Sequence, residues 1–232
     1  MKQRGERVDA IYAGLRLAIL EQVLQPGTKL PEDAIGEQFG ASRTVVRRAL
    51  ELLASEELVD IRPNRGATVA KPSLDEARDL FSVRQDVEQL VVRRLCGKLT
   101  PAQVKRLEAQ IEAEERAHRE GRPEYIRHAA EFHLVLAEMT GSPLLARYMR
   151  QLVGRSALIL GLYGRPRWTD CSVHEHRDLV SCLVTGDLAR LEPLMHDHLE
   201  AVLSRAIDTA SRDRDRGIRD LLAPYAEAAR SA

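Results

Sequence analysis

Apolar residues recur at helical spacing along nearly the whole chain, with one short interval where the spacing falls to two. Val8, Ile11, Tyr12, Leu15, Ala18 and Ile19 make one stripe and predict a helix over residues 8–23. Pro26-Gly27 stops it, and Leu30 anchors a connection to a second, short helix from Glu32 to Phe39. Gly40, free to take a left-handed conformation, turns that helix into a third, whose inner face is Val45, Val46, Ala49, Leu50, Leu52 and Leu53. Ser42 is its expected N-cap, with the hydroxyl accepting a first-turn backbone N–H. After Leu58 the period shortens: residues 58–61 and 67–70 read as strands around the turn Arg62-Pro63-Asn64-Arg65-Gly66. Two short helices across a tight glycine turn, then a hairpin, make a helix-turn-helix with a wing over residues 1–72.

Beyond Lys71-Pro72-Ser73 no strand pattern returns. Ser73 with Glu76 forms a capping box for a helix to about Lys98, and Thr100-Pro101-Ala102-Gln103 opens the next. Helices are predicted at 102–120, 123–139, 143–162, 173–185 and 188–210. Their breaks are Gly121-Arg122-Pro123, Gly141-Ser142-Pro143, Gly164-Arg165-Pro166 and Gly186-Asp187. Pro193 should kink the last helix or mark a late start. The fold class is mainly α: an N-terminal winged helix-turn-helix, an all-helical antiparallel bundle over 73–210 able to hold a ligand, and a tail over 211–232. In the tail the charges alternate from Ser211 to Arg216, and Leu221, Leu222 and Tyr225 are available to dock.

Arg43, Thr44, Arg47 and Arg48 lie off the inner face of the third helix. A solvated basic face has this composition, and so does a recognition helix that brings guanidinium forks to phosphates and guanine edges. The turn before it and the hairpin after it favour recognition, and Arg65 at the hairpin tip is placed to meet a phosphate or the minor groove.

Charge does not announce nucleic acid. The 232 residues carry 35 basic and 35 acidic side chains, and residues 1–72 hold 11 and 10. Attraction to DNA must therefore come from the local clusters Arg43–Arg48 and Arg62–Arg65. Cys96, Cys171 and Cys182 are few and odd in number, which fits a reduced, cytoplasmic protein without a disulfide framework. No run approaches the ~20 apolar residues of a membrane span, so a soluble protein is expected.

The histidines carry the second chemical signal. His174/His176 and His196/His198 are spaced i, i+2, about 200° apart on a helix, so one of each pair faces inward. Val173, Val180 and Leu183 select His176; Leu191, Met195 and Val202 select His198; Ile126, Ala129, Ala130 and Leu136 place His133 inward on its own helix. His118 and His128 read as surface residues. Three imidazoles on three helices can close on one metal ion, or stand separately as buried, hydrogen-bonded residues. Arg84 falls near an apolar stripe and pairs either with an anionic ligand or with Glu88, one turn on.

The order Pro26-Gly27, Leu30, Ser42-Arg43-Thr44-x-Val46-Arg47-x-Ala49-Leu50, Leu58-Val59 and Asn64-Arg65-Gly66 resembles the winged helix-turn-helix of the GntR family of bacterial transcription regulators. The resemblance implies operator contacts from Arg43, Thr44 and Arg47, with Arg65 and Gly66 at the wing tip; Ser42 at the helix start and Arg48, an extra charge beside Arg47, are candidate contacts on their position alone. Val45, Arg48 and Asp33 depart from it: the family commonly has Pro, Glu and, in some members, a DNA-contacting Arg at these positions. Downstream, Arg84-x-x-Val87-Glu88, Glu131-Phe132-His133, Gly141-Ser142-Pro143-Leu144-Leu145, Glu175-His176-Arg177 and Met195-x-x-His198-Leu199 resemble the FCD-type effector-binding domain of the FadR subfamily. That domain implies a divalent metal cofactor, zinc or nickel, on His133, His176 and His198, and Arg84, from its place near the apolar stripe, is the candidate to meet an organic-acid effector. Ala129 stands where such domains carry an Asp ligand, which leaves water or an effector carboxylate to complete the coordination.

The expected function is a homodimeric transcription regulator, one winged domain per half-site, whose affinity for operator DNA is set by the effector. The alternative is a His-ligated metal-dependent hydrolase with an accessory domain. It requires a general base by the metal, and the sequence has no His-Glu-x-x-His helix, phosphate loop or nucleophile motif.

Overall fold

Backbone hydrogen bonds at the Gly40 turn set the geometry of the N-terminal half. In a computed structural model, which describes residues 2–122, 124–163 and 172–215, α1 (Lys2–Leu20) is followed by α2 (Glu32–Phe39) and α3 (Arg43–Ser55). Gly40 is left-handed at φ 59, ψ 40, and the Ala41 N–H returns to the Gly36 carbonyl at 2.9 Å. Ser42 takes the extended N-cap backbone, but its hydroxyl makes no cap hydrogen bond. The reason is competition: the Val45 N–H, the donor that a hydroxyl cap would take, already bonds the Ser42 carbonyl at 2.9 Å. α1 begins at Lys2, earlier than the stripe alone indicated.

The wing is β1 (Val59–Arg62) paired antiparallel with β2 (Gly66–Val69), in register Val59↔Val69 through Arg62↔Gly66. It extends one residue further toward its tip than expected. Asn64 and Gly66, at φ 60 and 77, tighten the turn so that Arg62 and Gly66 join the ladder. The segment after α1 also zips onto β2, with Leu30 N–H to Ala67 O and Gly27 N–H to Val69 O, each at 2.9 Å.

The bundle comprises α4 (Leu74–Leu95), α5 (Pro101–Arg119), α6 (Glu124–Met139), α7 (Pro143–Tyr163), α8 (Ser172–Thr185) and α9 (Leu188–Asp215). Ser73–Glu76 and Thr100–Gln103 form the expected capping boxes. α9 starts at Leu188, where the Asp187 carboxylate accepts the Arg190 N–H, so Pro193 does not delay it. It continues past residue 210 to Asp215; Leu221, Leu222, Tyr225, Cys171 and the Gly164-Arg165-Pro166 break lie outside the described residues.

The bundle core is apolar around Phe132, Leu136, Met149 and Leu199, all fully buried. Leu158 of α7 packs instead into the N-terminal core with Leu50, Leu53 and Leu58. Leu58 also stands against Gly154 of α7, and polar contacts complete the joint between the halves. Arg16 bonds Glu56 at 3.3 Å and the Arg150 carbonyl at 3.1 Å, and Arg127 of α6 bonds Glu21 at 2.8 Å.

The α2–α3 turn is crowded. A Cβ on Gly36 would stand 2.7 Å from the Ala41 carbonyl oxygen, backbone that the turn itself fixes. Gly36→Ala is therefore expected to destabilise the protein by about 1–3 kcal/mol. A thermal unfolding midpoint equal to that of the unmodified chain would show that the turn relaxes freely.

Candidate functional site

Burial of polar residues in an apolar bundle requires partners, and the partners locate the site. His133 on α6, His176 on α8 and His198 on α9 are all buried, with ring nitrogens that lie within 4.8 Å of one another. His174 and His196 are exposed, as the stripes indicated. His118 and His128 are half-buried rather than on the surface: His118 meets the Tyr125 ring edge-on, and His128 sits beside Gln110 and Glu131.

Each inward imidazole is fixed from behind by a glutamate. Nδ1 of His133 lies 2.5 Å from Glu88 of α4, Nδ1 of His176 lies 2.8 Å from Glu114 of α5, and Nδ1 of His198 lies 2.7 Å from Glu175 of α8. An ionised carboxylate only accepts, so each Nδ1 carries the proton and each Nε2 is left with its lone pair. The Nε2 atoms of His133 and His198 approach to 3.2 Å, and Nε2 of His176 is buried without a hydrogen-bond partner. Lone pairs that face one another repel unless a cation sits between them. A tetrahedral ion with bonds of ~2.0–2.1 Å spaces its nitrogens about 3.3–3.4 Å apart. The donor set thus fits a divalent metal ion.

Electrostatics hold the same protonation pattern. Burial drives the His133 imidazole to its neutral form, with a pKa of about 3, and also lowers His198. Burial opposes the charge on Glu88, but His133 and Arg84 outweigh it and bring the carboxyl to about 2. Glu175, opposed by burial, is likewise held at about 2 by His198 and Arg205.

Arg84 is buried, with Nε on Glu88 at 2.6 Å and the guanidinium 5.6 Å from the Phe81 ring centre. Among the described residues its terminal nitrogens make no hydrogen bond. Arg84, Glu88 and His133 therefore form one chain from guanidinium to imidazole. Ala129 lies one turn before His133 on α6, and the three glutamates stand behind the rings rather than among them. The sequence did not single out Glu114, and it offered Glu175 only as part of the Glu175-His176-Arg177 motif, with no partner assigned. Glu114 had a signal: it continues the Leu107, Ile111 stripe, where a carboxylate must find a partner.

On the N-terminal half, Ser42, Arg43, Thr44, Arg47 and Arg48 are exposed along the first turns of α3, and Arg65 and Gly66 at the wing tip. The arginines of α3 are not bare. Arg43 forms a two-point pair with Asp33, Arg47 one with Glu32 at 2.9 and 2.8 Å, and Arg48 bonds Glu51 at 3.0 Å. Periodicity could not reveal these pairs, since they depend on how the turn sets α2 against α3. Among the described residues, no helix is long and apolar enough to cross a membrane.

Comparison with known proteins agrees with both halves. Residues 7–69 match the family of bacterial regulatory proteins named gntR, and residues 79–201 match the FCD domain. The chain is 29% identical over 196 residues to the HTH-type transcriptional repressor RspR of Escherichia coli, spanning 83% of this chain and 85% of that protein. It is 30% identical over 199 residues to an HTH-type transcriptional regulator of Streptomyces ambofaciens, spanning 83% and 81%. The fold is shared with the crystal structure of a GntR transcriptional regulator from Rhodococcus sp. RHA1, at a TM-score of 0.76 and 22% identity over 88% of this chain and 98% of that one. These families and relatives are regulators and not enzymes, so the hydrolase alternative falls. The winged helix-turn-helix, the helical bundle behind it and the two matched domains together make this chain a member of the GntR family: a DNA-binding transcription regulator with an FCD effector-binding domain.

Proposed function

We propose that this regulator binds a near-palindromic operator as a homodimer, and that an organic-acid effector bound beside a His-held metal ion tunes its affinity. The observation that carries the reading is the convergence of three lone-pair nitrogens in the bundle core, one of them buried and unpartnered. His133, His176 and His198 would hold the ion, zinc or nickel, and the bound ion would act as a Lewis acid toward a carboxylate. Arg84 is the charged side chain closest in role to an effector partner, because its Nε is spent on Glu88 and its remaining N–H groups are not.

The route to DNA starts on α6. That helix carries His133 and, further toward its N-terminus, Arg127, which bonds both Glu131 and Glu21 at the end of α1. A ligand that favours one placement of α6 would bias the placement of the winged half through this pair and through Leu158. Coupling of this kind is typically about 1–3 kcal/mol.

Dimerisation is supported by an apolar face. Val83 and Leu90 on α4 and Leu144 and Tyr148 on the adjoining α7 are all exposed. Exposed apolar residues grouped on two packed helices fit a self-complementary contact between copies.

Three outcomes test the reading. Arg47→Ala should weaken operator binding at least ~10-fold, consistent with ~1–3 kcal/mol for a base-contacting arginine; equal affinity would remove the recognition-helix assignment. Untagged protein should hold about one divalent ion per chain, absent in His176→Ala, and Glu114→Gln should lower metal affinity ~10–100-fold. Elemental analysis finding no ion in protein that still responds to effector would end the metal role. Leu90→Glu with Tyr148→Glu should sediment as a monomer; a persistent dimer would place the interface elsewhere.

A further inference from the structure

The acidic pair at the start of α2 is fitted to the recognition arginines atom by atom. Arg47 donates Nε–H and Nη2–H to the two oxygens of Glu32, at 2.9 and 2.8 Å. Arg43 donates the same two groups to the two oxygens of Asp33, with Nη2 at 2.7 Å. Both arginines thus use the same edge of the guanidinium. A guanidinium has five N–H donors in a fixed fork. The side edge takes two, and the end-on fork, Nη1 with the outer Nη2–H, remains. Among the described residues that fork has no partner on either arginine, and both side chains stay largely exposed.

We infer that Glu32 and Asp33 are specificity-determining residues that hold Arg47 and Arg43 as end-on forks for guanine while cancelling their pull on phosphate. The inference rests on the recognition-helix reading of α3. Two physical consequences separate the partners that DNA offers. An arginine–carboxylate pair has little net charge, so its attraction to a phosphate, which is mainly charge on charge, is largely lost. Its outward N–H groups keep their direction, and the O6 and N7 acceptors of guanine are neutral and read by direction. The pairing therefore removes sequence-blind affinity more than it removes base readout.

Charge elsewhere is consistent with this division. Arg62 and Arg65 at the wing are exposed, and among the described residues no carboxylate pairs with them. The arginines of α3 are the ones whose charge is offset by a carboxylate. Glu32 is ionised, held below the usual carboxylate range by its hydrogen bond from Arg47. Residues 1–72 are almost neutral, with 11 basic and 10 acidic side chains, so two uncovered arginines would change the electrostatic balance of this half substantially.

The test uses the full chain and an operator selected by it from random duplexes. Affinities for that operator and for a scrambled duplex are measured across salt for the unmodified protein, Glu32→Gln, Asp33→Asn and the double variant. The double variant should bind scrambled DNA about 10-fold more tightly. Its salt slope should steepen by up to about 2, since each added phosphate contact contributes roughly 0.9. Its preference for the operator should fall ~10-fold or more. A second measurement needs no variant: 7-deazaguanine at contacted guanines, which removes N7, should weaken the unmodified protein on its operator. An unchanged preference and slope, or an equal change on both duplexes, would overturn the inference, as would indifference to 7-deazaguanine. Arg47→Ala separates the two levels. If it binds the operator normally, the recognition-helix reading is at fault. If it loses binding while the acid variants behave as the unmodified protein does, this inference alone fails.

Discussion

An imidazole whose Nδ1–H is held by a carboxylate has its orientation and its tautomer settled by one bond. In this protein that bond occurs three times, from Glu88, Glu114 and Glu175, and it organises the bundle. The three pairs draw on α4, α5, α6, α8 and α9, so the charged groups that an apolar core would reject become the place where its helices meet. Phe132 stacks on His176 at 4.0 Å between ring centres and closes one wall. Buried polar groups of this kind are tolerated when partnered, and the Nδ1–H bonds supply that partner on one side of each ring while the Nε2 atoms, that of His176 without a hydrogen bond, converge on the other.

Carboxylates serve a different purpose on the other half. In the bundle they direct lone pairs inward; at α2 they direct guanidinium edges outward. Both uses rely on the acceptor-only character of an ionised carboxylate, which leaves the partner's remaining donors or lone pairs free for a ligand.

The two-part mainly helical fold was legible because it is written in local signals. Glycine turns, the capping boxes at Ser73 and Thr100 and the stripes each act within a few residues. The inward histidines were legible for the same reason, since Val173 and Val180 decide which of His174 and His176 is buried. The glutamates behind them were not: Glu88 was read only as a partner for Arg84, and His133 pairs with it across 45 positions, His198 with Glu175 across 23 and His176 with Glu114 across 62. Glu175 adjoins His176 in sequence yet serves His198, which no reading of neighbours would assign. Ser42 failed as a side-chain cap because a backbone carbonyl took its donor first, a competition that depends on the turn geometry.

The joint between the halves has a consequence for descent and engineering. Much of it is polar: Arg127 to Glu21, Arg155 to Glu57 at 3.0 Å and Arg16 to the Arg150 carbonyl, with Leu158 in the N-terminal core and Leu58 against Gly154 as apolar contacts. Such a surface is a lock as well as a hinge. A reading head grafted from another regulator would bring its own side chains to these positions, and without acids matching Glu21 and Glu57 the bundle's Arg127 and Arg155 would lose their partners across the joint while staying partly buried. The two halves are thus constrained to diverge together, and a working chimera must carry the joint with the head.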